Sequence, residues 1–275
     1  MCSVIYIVLS CLIALIMQSI AFAEGTIVHI QTTSQIMTDA GQPADRELSI
    51  YLPEGYDTSG LAYPVEYSIH GGGGNNRDNI TFGFIPYFDK VPNPMIVVMP
   101  FMGEMNRIVR LEEAYLIEEI IPFVDENYRT IPYREGRSIV GLSRGGGDAL
   151  HIALSYPGLF SVVGGVSAGG ARTLPALQAF EDYPQELFPL QFCLAYGLNE
   201  GGMTNDNQRV VGILEELGFP YSYVEDNGTH IDINALIQRG WICAEFVSKV
   251  LSGSVTPVEV HSKIATVWGT IKRDE

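Results

Sequence analysis

The stretch that decides the fold is SIVGLSRGGGDAL, residues 138–150. A short apolar run, typical of a buried strand, reaches Gly141, and a segment with helical spacing begins at Arg144. The residues between them, GLSRG, form a G-x-S-x-G motif around Ser143. A sharp strand-to-helix turn strains the serine backbone, and glycines two residues to either side remove the clashes that this turn would cause. The stretch therefore predicts that the Ser143 hydroxyl projects above a sheet at the start of a helix.

The rest of the chain alternates short strand-like runs with helical segments. The predicted strands are Thr26–Gln31, Glu47–Leu52, Val65–His70, Met95–Met99, Ser138–Gly141, Val162–Val166, Leu190–Ala195 and Tyr221–Val224. The predicted helices are Glu112–Tyr128, Arg144–Tyr156, Asn205–Leu217 and Ile231–Leu251. This order predicts an α/β fold whose mostly parallel sheet has helices on both faces and whose N-terminal edge is antiparallel.

The chain of 275 residues suits one large domain, which we expect over residues 24–275. Pro122 lies inside the first predicted helix and predicts a kink there. Residues 252–275 fit the alternating pattern less well, and they could form an added hairpin or a C-terminal extension.

The N-terminus has the pattern of a secretory signal. Residues 4–20 are almost wholly apolar, and the triplet Ala21-Phe22-Ala23 has the small residues that signal peptidase needs. We therefore predict a signal peptide over residues 1–23, cleavage after Ala23 and no stable membrane association afterwards. A retained membrane anchor stays open as the alternative.

Composition and charge exclude several classes of partner. Hydrophobic residues make up 47% of the chain and charged residues 17%, so a folded core is expected. The net charge of −16 would repel nucleic acid and anionic membrane surfaces, and neither is expected as a partner. Cys193 and Cys243 could pair in an oxidising compartment or remain buried thiols. With no Cys/His cluster, we expect no structural zinc and no other metal.

A serine nucleophile needs a base, and His230 is the best candidate among five histidines. It follows the last predicted strand and precedes the last helix, where the chain order Ser, acid, His places the base in an α/β-hydrolase. His29 and His261 are expected at the surface. His151 lies in the helix after Ser143 and should be held away from its hydroxyl.

The base needs a carboxylate to orient it, and Glu200 is the favoured candidate because it follows the predicted strand Leu190–Ala195. Asp206 is the alternative, although it is expected within the next helix. Asp226 and Asp232 lie close to His230 in the chain and are interpreted as solvated loop residues.

Two backbone N–H groups should stabilise the oxyanion. One is expected from Arg144, the residue after the nucleophile, whose side chain should point away from the reacting carbonyl. A contact from that side chain to an anionic substrate group stays open. The other is expected from Gly72, with Gly71 next, in the glycine run that follows His70. His70 is interpreted as a structural anchor of that turn.

Several stretches together resemble the esterase D-like group of α/β-hydrolases, which includes bacterial feruloyl esterases and acetyl xylan esterases of carbohydrate esterase family 1. They are RELSIYLPEGYD, YPVEYSIHGGGGNNRD, LIEEIIPFVDENYRTIP and RSIVGLSRGGGDALHIALSYPGLFSVVGGVSAG. The resemblance runs from about Arg46 to about Phe246. It implies an α/β-hydrolase fold, Ser143 as nucleophile, His230 as base, and Gly72 and Arg144 as oxyanion donors. The acid maps to Glu200, where feruloyl esterases usually have Asp.

The resemblance implies a secreted, cofactor-free serine esterase that acts on feruloylated or acetylated plant polysaccharide or on a small ester. The alternatives are a general carboxylesterase, a siderophore esterase, an acyltransferase and a non-catalytic binding module. A glycan on the sequon at Asn227 would crowd His230, which favours a bacterial protein that is secreted or periplasmic. The acyl group and the oligomeric state stay open. Aromatic rings for a feruloyl group could come from Asn79–Lys90 and Phe180–Leu190, although loop packing is the favoured interpretation of both segments.

Overall fold

A computed structural model of the protein describes residues 24–103, 109–169, 180 and 183–252. Eight strands form one sheet within these residues. They are β1 (Thr26–Thr33), β2 (Asp45–Leu52), β3 (Val65–Ile69), β4 (Ile96–Pro100), β5 (Arg137–Leu142), β6 (Val162–Val166), β7 (Gln191–Gly197) and β8 (Tyr221–Asp226). Each lies at a run that the sequence predicts as a strand, with ends that agree to within two residues.

The strand order is β1-β2-β4-β3-β5-β6-β7-β8. The pairs β1–β2 and β2–β4 are antiparallel, whereas every pair from β4–β3 to β7–β8 is parallel. The predicted mostly parallel sheet with an antiparallel N-terminal edge is therefore confirmed. The strand order runs from β4 back to β3 and then forward to β5, so the ends of β3 and β5 lie side by side. In open α/β sheets, ligands bind in the crevice at such a change of direction.

The helices surround the sheet. They are α1 (Gln35–Asp39), α2 (Tyr56–Ser59), α3 (Asp78–Thr81), α4 (Ile85–Phe88), α5 (Val109–Ala114), α6 (Ile121–Asn127), α7 (Arg144–Ser155), α8 (Gly202–Leu217) and α9 (Ile233–Leu251). A π-helical segment, Tyr115–Ile120, joins α5 to α6, and a 3-10 turn, Arg134–Gly136, precedes β5. The change from π-helix to α-helix lies between Ile120 and Ile121, directly before Pro122, which is in the first turn of α6.

Two apolar cores cover the two faces of the sheet because strand residues alternate between faces. In β4, Ile96 and Val98 join the core with α6, α7 and α8, while Val97 and Met99 join the core with α4 and α9. The prediction of helices on both faces is therefore confirmed. Cys193 and Cys243 are fully buried in the second core as free thiols, with sulfur atoms 2.9 Å apart.

Two predicted segments lie outside the described residues: the signal peptide over residues 1–23, and all but the first residue of the 252–275 extension. Among the helices that the structure describes, none has the length and hydropathy to cross a bilayer.

Candidate active site

Ser143 lies on a strained turn between β5 and α7. Its backbone has φ 56° and ψ −121°, a conformation that costs a non-glycine residue about 1–3 kcal/mol. A Cβ on Gly141 would collide with the backbone of Gly145, and a Cβ on Gly145 would collide with the backbone of Ile69 and His70. Both motif glycines are therefore required by close backbone approach, as the sequence predicts.

Hydrogen bonds hold this turn in place. The Ser143 N–H donates to the Val166 carbonyl at 2.8 Å, which ties the turn to the end of β6. The Ser143 carbonyl accepts from the N–H groups of Gly146, Gly147 and Gly169 at 3.0–3.2 Å. With its backbone groups satisfied, the turn presents the side chain at the carboxyl edge of the sheet.

His230 meets Ser143 from the loop between β8 and α9. Its Nε2 lies 2.8 Å from Ser143 Oγ, within hydrogen-bond distance. Its Nδ1 faces Glu200 Oε1 at 3.7 Å, which is longer than a hydrogen bond, and Nδ1 has no other partner in the described part of the chain. The His230 side chain is 28% exposed, whereas the Glu200 side chain is fully buried. The structure thus brings together the three residues that the sequence proposes as a catalytic triad.

Glu200 is held by the loop that follows β7. Its N–H donates to Thr204 Oγ1, and the Thr204 hydroxyl donates to the Gly197 carbonyl at 2.7 Å. Its Oε1 accepts from the Ser167 hydroxyl at 2.8 Å. Burial acts to raise the pKa of Glu200, but the facing His230 imidazole, the Ser167 hydroxyl and the charge of Arg239 outweigh it. The pKa of Glu200 therefore lies below its ordinary value and the group is a carboxylate at neutral pH. Asp206 lies within α8, as expected.

The interpretation of Asp226 as a solvated loop residue is wrong. It is the last residue of β8, and its carboxylate takes two hydrogen bonds from Arg239, Nε to Oδ2 at 2.7 Å and Nη2 to Oδ1 at 2.5 Å. Asp232 is the N-cap of α9 and accepts a hydrogen bond from the Ala235 N–H at 3.2 Å. Both aspartates therefore have structural partners.

Sequence reasoning missed Arg239 and Ser167. In α9 the spacing Leu236, Arg239, Cys243 and Val247 places an arginine on the buried apolar stripe, and a charge on such a stripe is a signal of a buried partner. Ser167 follows β6 with φ 49°, and it shares positive φ with Ser143 alone among the described non-glycine residues. Its position at the carboxyl end of a parallel strand is the signal available from the sequence.

The glycine run after β3 lies against the nucleophile. A Cβ built on Gly71 would lie 3.6 Å from Ser143 Cβ, so this loop borders the hydroxyl. His70 Nε2 accepts from the Met102 N–H at 3.0 Å, which leaves the proton on Nδ1 for the Gly71 carbonyl at 2.8 Å. His70 therefore anchors the turn through both ring nitrogens.

The other candidates lie apart from this cluster. His29 is exposed on β1 and contacts Ser49, and His151 on α7 contacts Glu113, while His261 lies outside the described residues. The Arg144 side chain is half-buried; burial lowers its pKa, which the nearby Glu112 opposes.

The two aromatic segments are largely packed into the fold. Phe84 and Phe88 belong to the core beneath α9. Phe180 packs edge-to-face and Tyr183 packs at a tilt against Phe219 in the opposite core, at 5.4 and 5.8 Å between ring centroids. These four rings therefore serve packing.

The sheet order, the strained serine turn and the Ser143–His230 contact define an α/β-hydrolase of the serine-hydrolase class. The model of the family described as "Putative esterase" matches residues 41–173, which include Ser143. This match confirms the predicted resemblance to an esterase family for this part of the chain.

Proteins similar in sequence to this chain are also esterases. An esterase of Mycobacterium tuberculosis (strain CDC 1551 / Oshkosh) is 36% identical over 124 residues, which are 42% of this chain and 27% of that protein. An endo-1,4-beta-xylanase/feruloyl esterase of Xylanibacter ruminicola is 32% identical over 139 residues, 44% of this chain and 19% of that protein. The chain thus matches less than a third of the length of either. The solved structure of a ferulic acid esterase has a TM-score of 0.72 at 20% identity, covering 83% of this chain and all of that one, and it shares the fold.

Proposed function

We infer that the protein hydrolyses carboxylic esters with a Ser143–His230–Glu200 triad. The observation that carries this proposal is the 2.8 Å contact between Ser143 Oγ and His230 Nε2 at a strained turn. In the proposed reaction the Ser143 oxygen attacks the ester carbonyl carbon while His230 Nε2 takes the hydroxyl proton. The tetrahedral intermediate expels the alcohol, which receives that proton, and an acyl-serine remains. Water, deprotonated by His230, then releases the acid and restores the serine.

The N–H groups of Arg144 and Gly72 are proposed as the oxyanion donors. Arg144 is the first residue of α7, so its N–H lies at the positive end of that helix, directly after the nucleophile. Gly71, next to Gly72, lies against Ser143 and brings the second loop to the same place. Removal of one such donor typically lowers kcat about 10²–10³-fold.

Feruloyl groups on plant cell-wall xylan are the proposed substrate. The Xylanibacter relative is an endo-1,4-beta-xylanase/feruloyl esterase and the structural neighbour is a ferulic acid esterase, which supports an aromatic acyl group. Acetyl xylan or a general small ester is the second candidate, because Phe84, Phe88, Phe180 and Tyr183 are committed to the cores. Export through the 1–23 signal is part of the proposal, and N-terminal sequencing of the exported protein should begin at Glu24.

The test compares kcat/KM on methyl ferulate and on 4-nitrophenyl acetate. Ser143→Ala is the blank, and Ser155→Ala, an exposed serine at the end of α7, is the matched control. We expect turnover of both esters, preference for methyl ferulate, and loss of both activities in Ser143→Ala alone. Turnover of the acetate only would replace the feruloyl proposal by the acetyl one. Full activity in a folded Ser143→Ala would refute the triad.

A further inference from the structure

Arg239 is a buried cation that contacts the proposed triad without being one of its three residues. It lies in α9 and is 1% exposed. Burying a guanidinium is costly unless its N–H groups are paired with acceptors. Arg239 Nη1 donates to Glu200 Oε1 at 2.5 Å and to Ser167 Oγ at 2.9 Å, while Nε and Nη2 donate to Asp226.

The contact with Asp226 fixes the direction of the guanidinium. Two parallel N–H bonds to one carboxylate define the plane of the group, so its remaining Nη1 can point only one way, toward Glu200. Asp226 is in turn held by the Gly228 N–H, which donates to Oδ1 at 2.6 Å. Burial acts to raise the pKa of Asp226, but the hydrogen bonds from Arg239 and Gly228 outweigh it. The pKa of Asp226 therefore lies below its ordinary value, and the group that holds Arg239 is a charged carboxylate.

Two glycines leave the space that this arrangement needs. A Cβ on Gly197 would lie 2.5 Å from Arg239 Nη2, and a Cβ on Gly228 would lie 2.6 Å from the same atom. Gly197 ends β7 and Gly228 lies two residues before His230, so the guanidinium occupies the gap between the strands and loops that carry the acid and the base.

We propose that Arg239, clamped by Asp226, is a positioning residue that directs Glu200 toward His230. The inference rests on the proposed triad. Glu200 Oε1 is the atom that faces His230 Nδ1, and the same atom is fixed by Arg239 and Ser167, so its position depends on the clamp. Without the clamp the carboxylate can rotate away, and the base loses the partner that orients it. Misplacement of a reacting group by about 1 Å can lower the rate about 10²-fold.

The test separates charge from geometry. The charged residues on the elements that carry or adjoin His230 are Arg144 on α7, Glu200 after β7, Glu225 and Asp226 on β8, Asp232 at the N-cap of α9 and Arg239 on α9. Arg239→Lys keeps the positive charge but cannot bind Asp226 and Glu200 through a planar fork. We expect kcat on 4-nitrophenyl acetate to fall about 10²-fold, with KM within about twofold and the acidic limb of the pH–rate profile unmoved. Arg209→Lys, an exposed arginine on α8, is the matched control and should change nothing.

A second variant removes the charge. Arg239→Met should lower kcat at least as much and move the acidic limb upward by about one pH unit, because it removes a cation near the base. In the double variant Arg239→Met/Asp226→Asn the net charge is that of the native protein. The acidic limb of its pH–rate profile should therefore return to the native position, while kcat stays low. Thermal unfolding of each variant checks the fold, and Asp226→Asn alone, which retains Arg239, tests the clamp if the Arg239 variants do not fold.

The outcomes are distinct from those of the triad test. If Ser143→Ala is inactive while a folded Arg239→Lys or Asp226→Asn keeps full kcat, the positioning role is overturned and the triad stands. Loss of kcat in proportion to the loss of folded protein, with no displacement of the pH limb in Arg239→Met, would reduce Arg239 to a structural residue and also overturn the proposal.

Discussion

Glu66 should make the protein less stable as the pH rises, and Glu66→Gln should abolish that effect. Glu66 is the second residue of β3, between Val97 on β4 and Ser138 on β5, and is only 2% exposed. Its Oε2 has no hydrogen-bond partner among the described residues. Burial raises the pKa of Glu66 to about 8 from an ordinary value of 4.5, so the folded protein holds it protonated at neutral pH.

The direction of this pH dependence of stability follows from the number of protons that the folded and unfolded states bind. Between pH 4.5 and about 8 the folded state holds a proton on Glu66 that the unfolded chain has released. Raising the pH in this window therefore favours the unfolded chain, by about 1.4 kcal/mol per pH unit. The full difference between the two pKa values corresponds to about 5 kcal/mol, reached near pH 8. Gln has nearly the same shape and does not titrate, so the variant lacks this penalty.

Urea unfolding followed by circular dichroism at pH 5, 6, 7 and 8 provides the assay. Other titrating groups are common to both proteins and cancel in the difference. The free energy of unfolding of Glu66→Gln minus that of the native protein should rise by about 1.4 kcal/mol per pH unit, or about 3 kcal/mol from pH 5 to 7. Glu216→Gln, an exposed glutamate on α8, should give a flat difference. A flat difference for Glu66→Gln would refute the assigned protonation.

Three further predictions concern the site and the two thiols. Glu200→Gln should lower kcat about 10²–10⁴-fold, while Asp206→Asn on α8 should leave kcat within about twofold; the reverse pattern would make Asp206 the acid. Gly228→Ala should lower both activity and melting temperature, because the new methyl group would lie 2.6 Å from the Arg239 guanidinium. The control Gly212→Ala on α8, whose methyl group would meet no atom within 4 Å, should raise stability by about 0.5–1 kcal/mol, and equal effects of the two variants would exclude the steric argument. We expect both buried cysteines, Cys193 and Cys243, to resist alkylation in the native protein and to react after unfolding without reductant, as measured by mass spectrometry of their peptides. Failure of both to react in the unfolded chain would demonstrate a disulfide.

The fold was predictable because its signals are local. Alternation and short apolar runs mark every strand of the sheet, and 3.6-residue spacing marks the long helices. The GLSRG turn was predictable for a similar reason: the backbone conformation of Ser143 and the close approach around Gly141 and Gly145 arise within a few residues. The positions of Glu200 and His230 followed from chain order, since parallel strands bring their carboxyl ends, and the loops after them, to one edge of the sheet.

Sequence by itself thus determined the fold class, the serine turn and the three residues that meet there. Only the tertiary structure decided how Glu200 is held, because Ser167, Asp226 and Arg239 come from three other elements, up to 72 residues apart along the chain. Their contacts depend on the register of β6, β7 and β8 and on the rotation of α9, which no local pattern encodes. Tertiary packing likewise decided that Phe84 and Phe180 lie in the cores. An aromatic residue in a loop has the same sequence signal whether it lines a pocket or fills the interior.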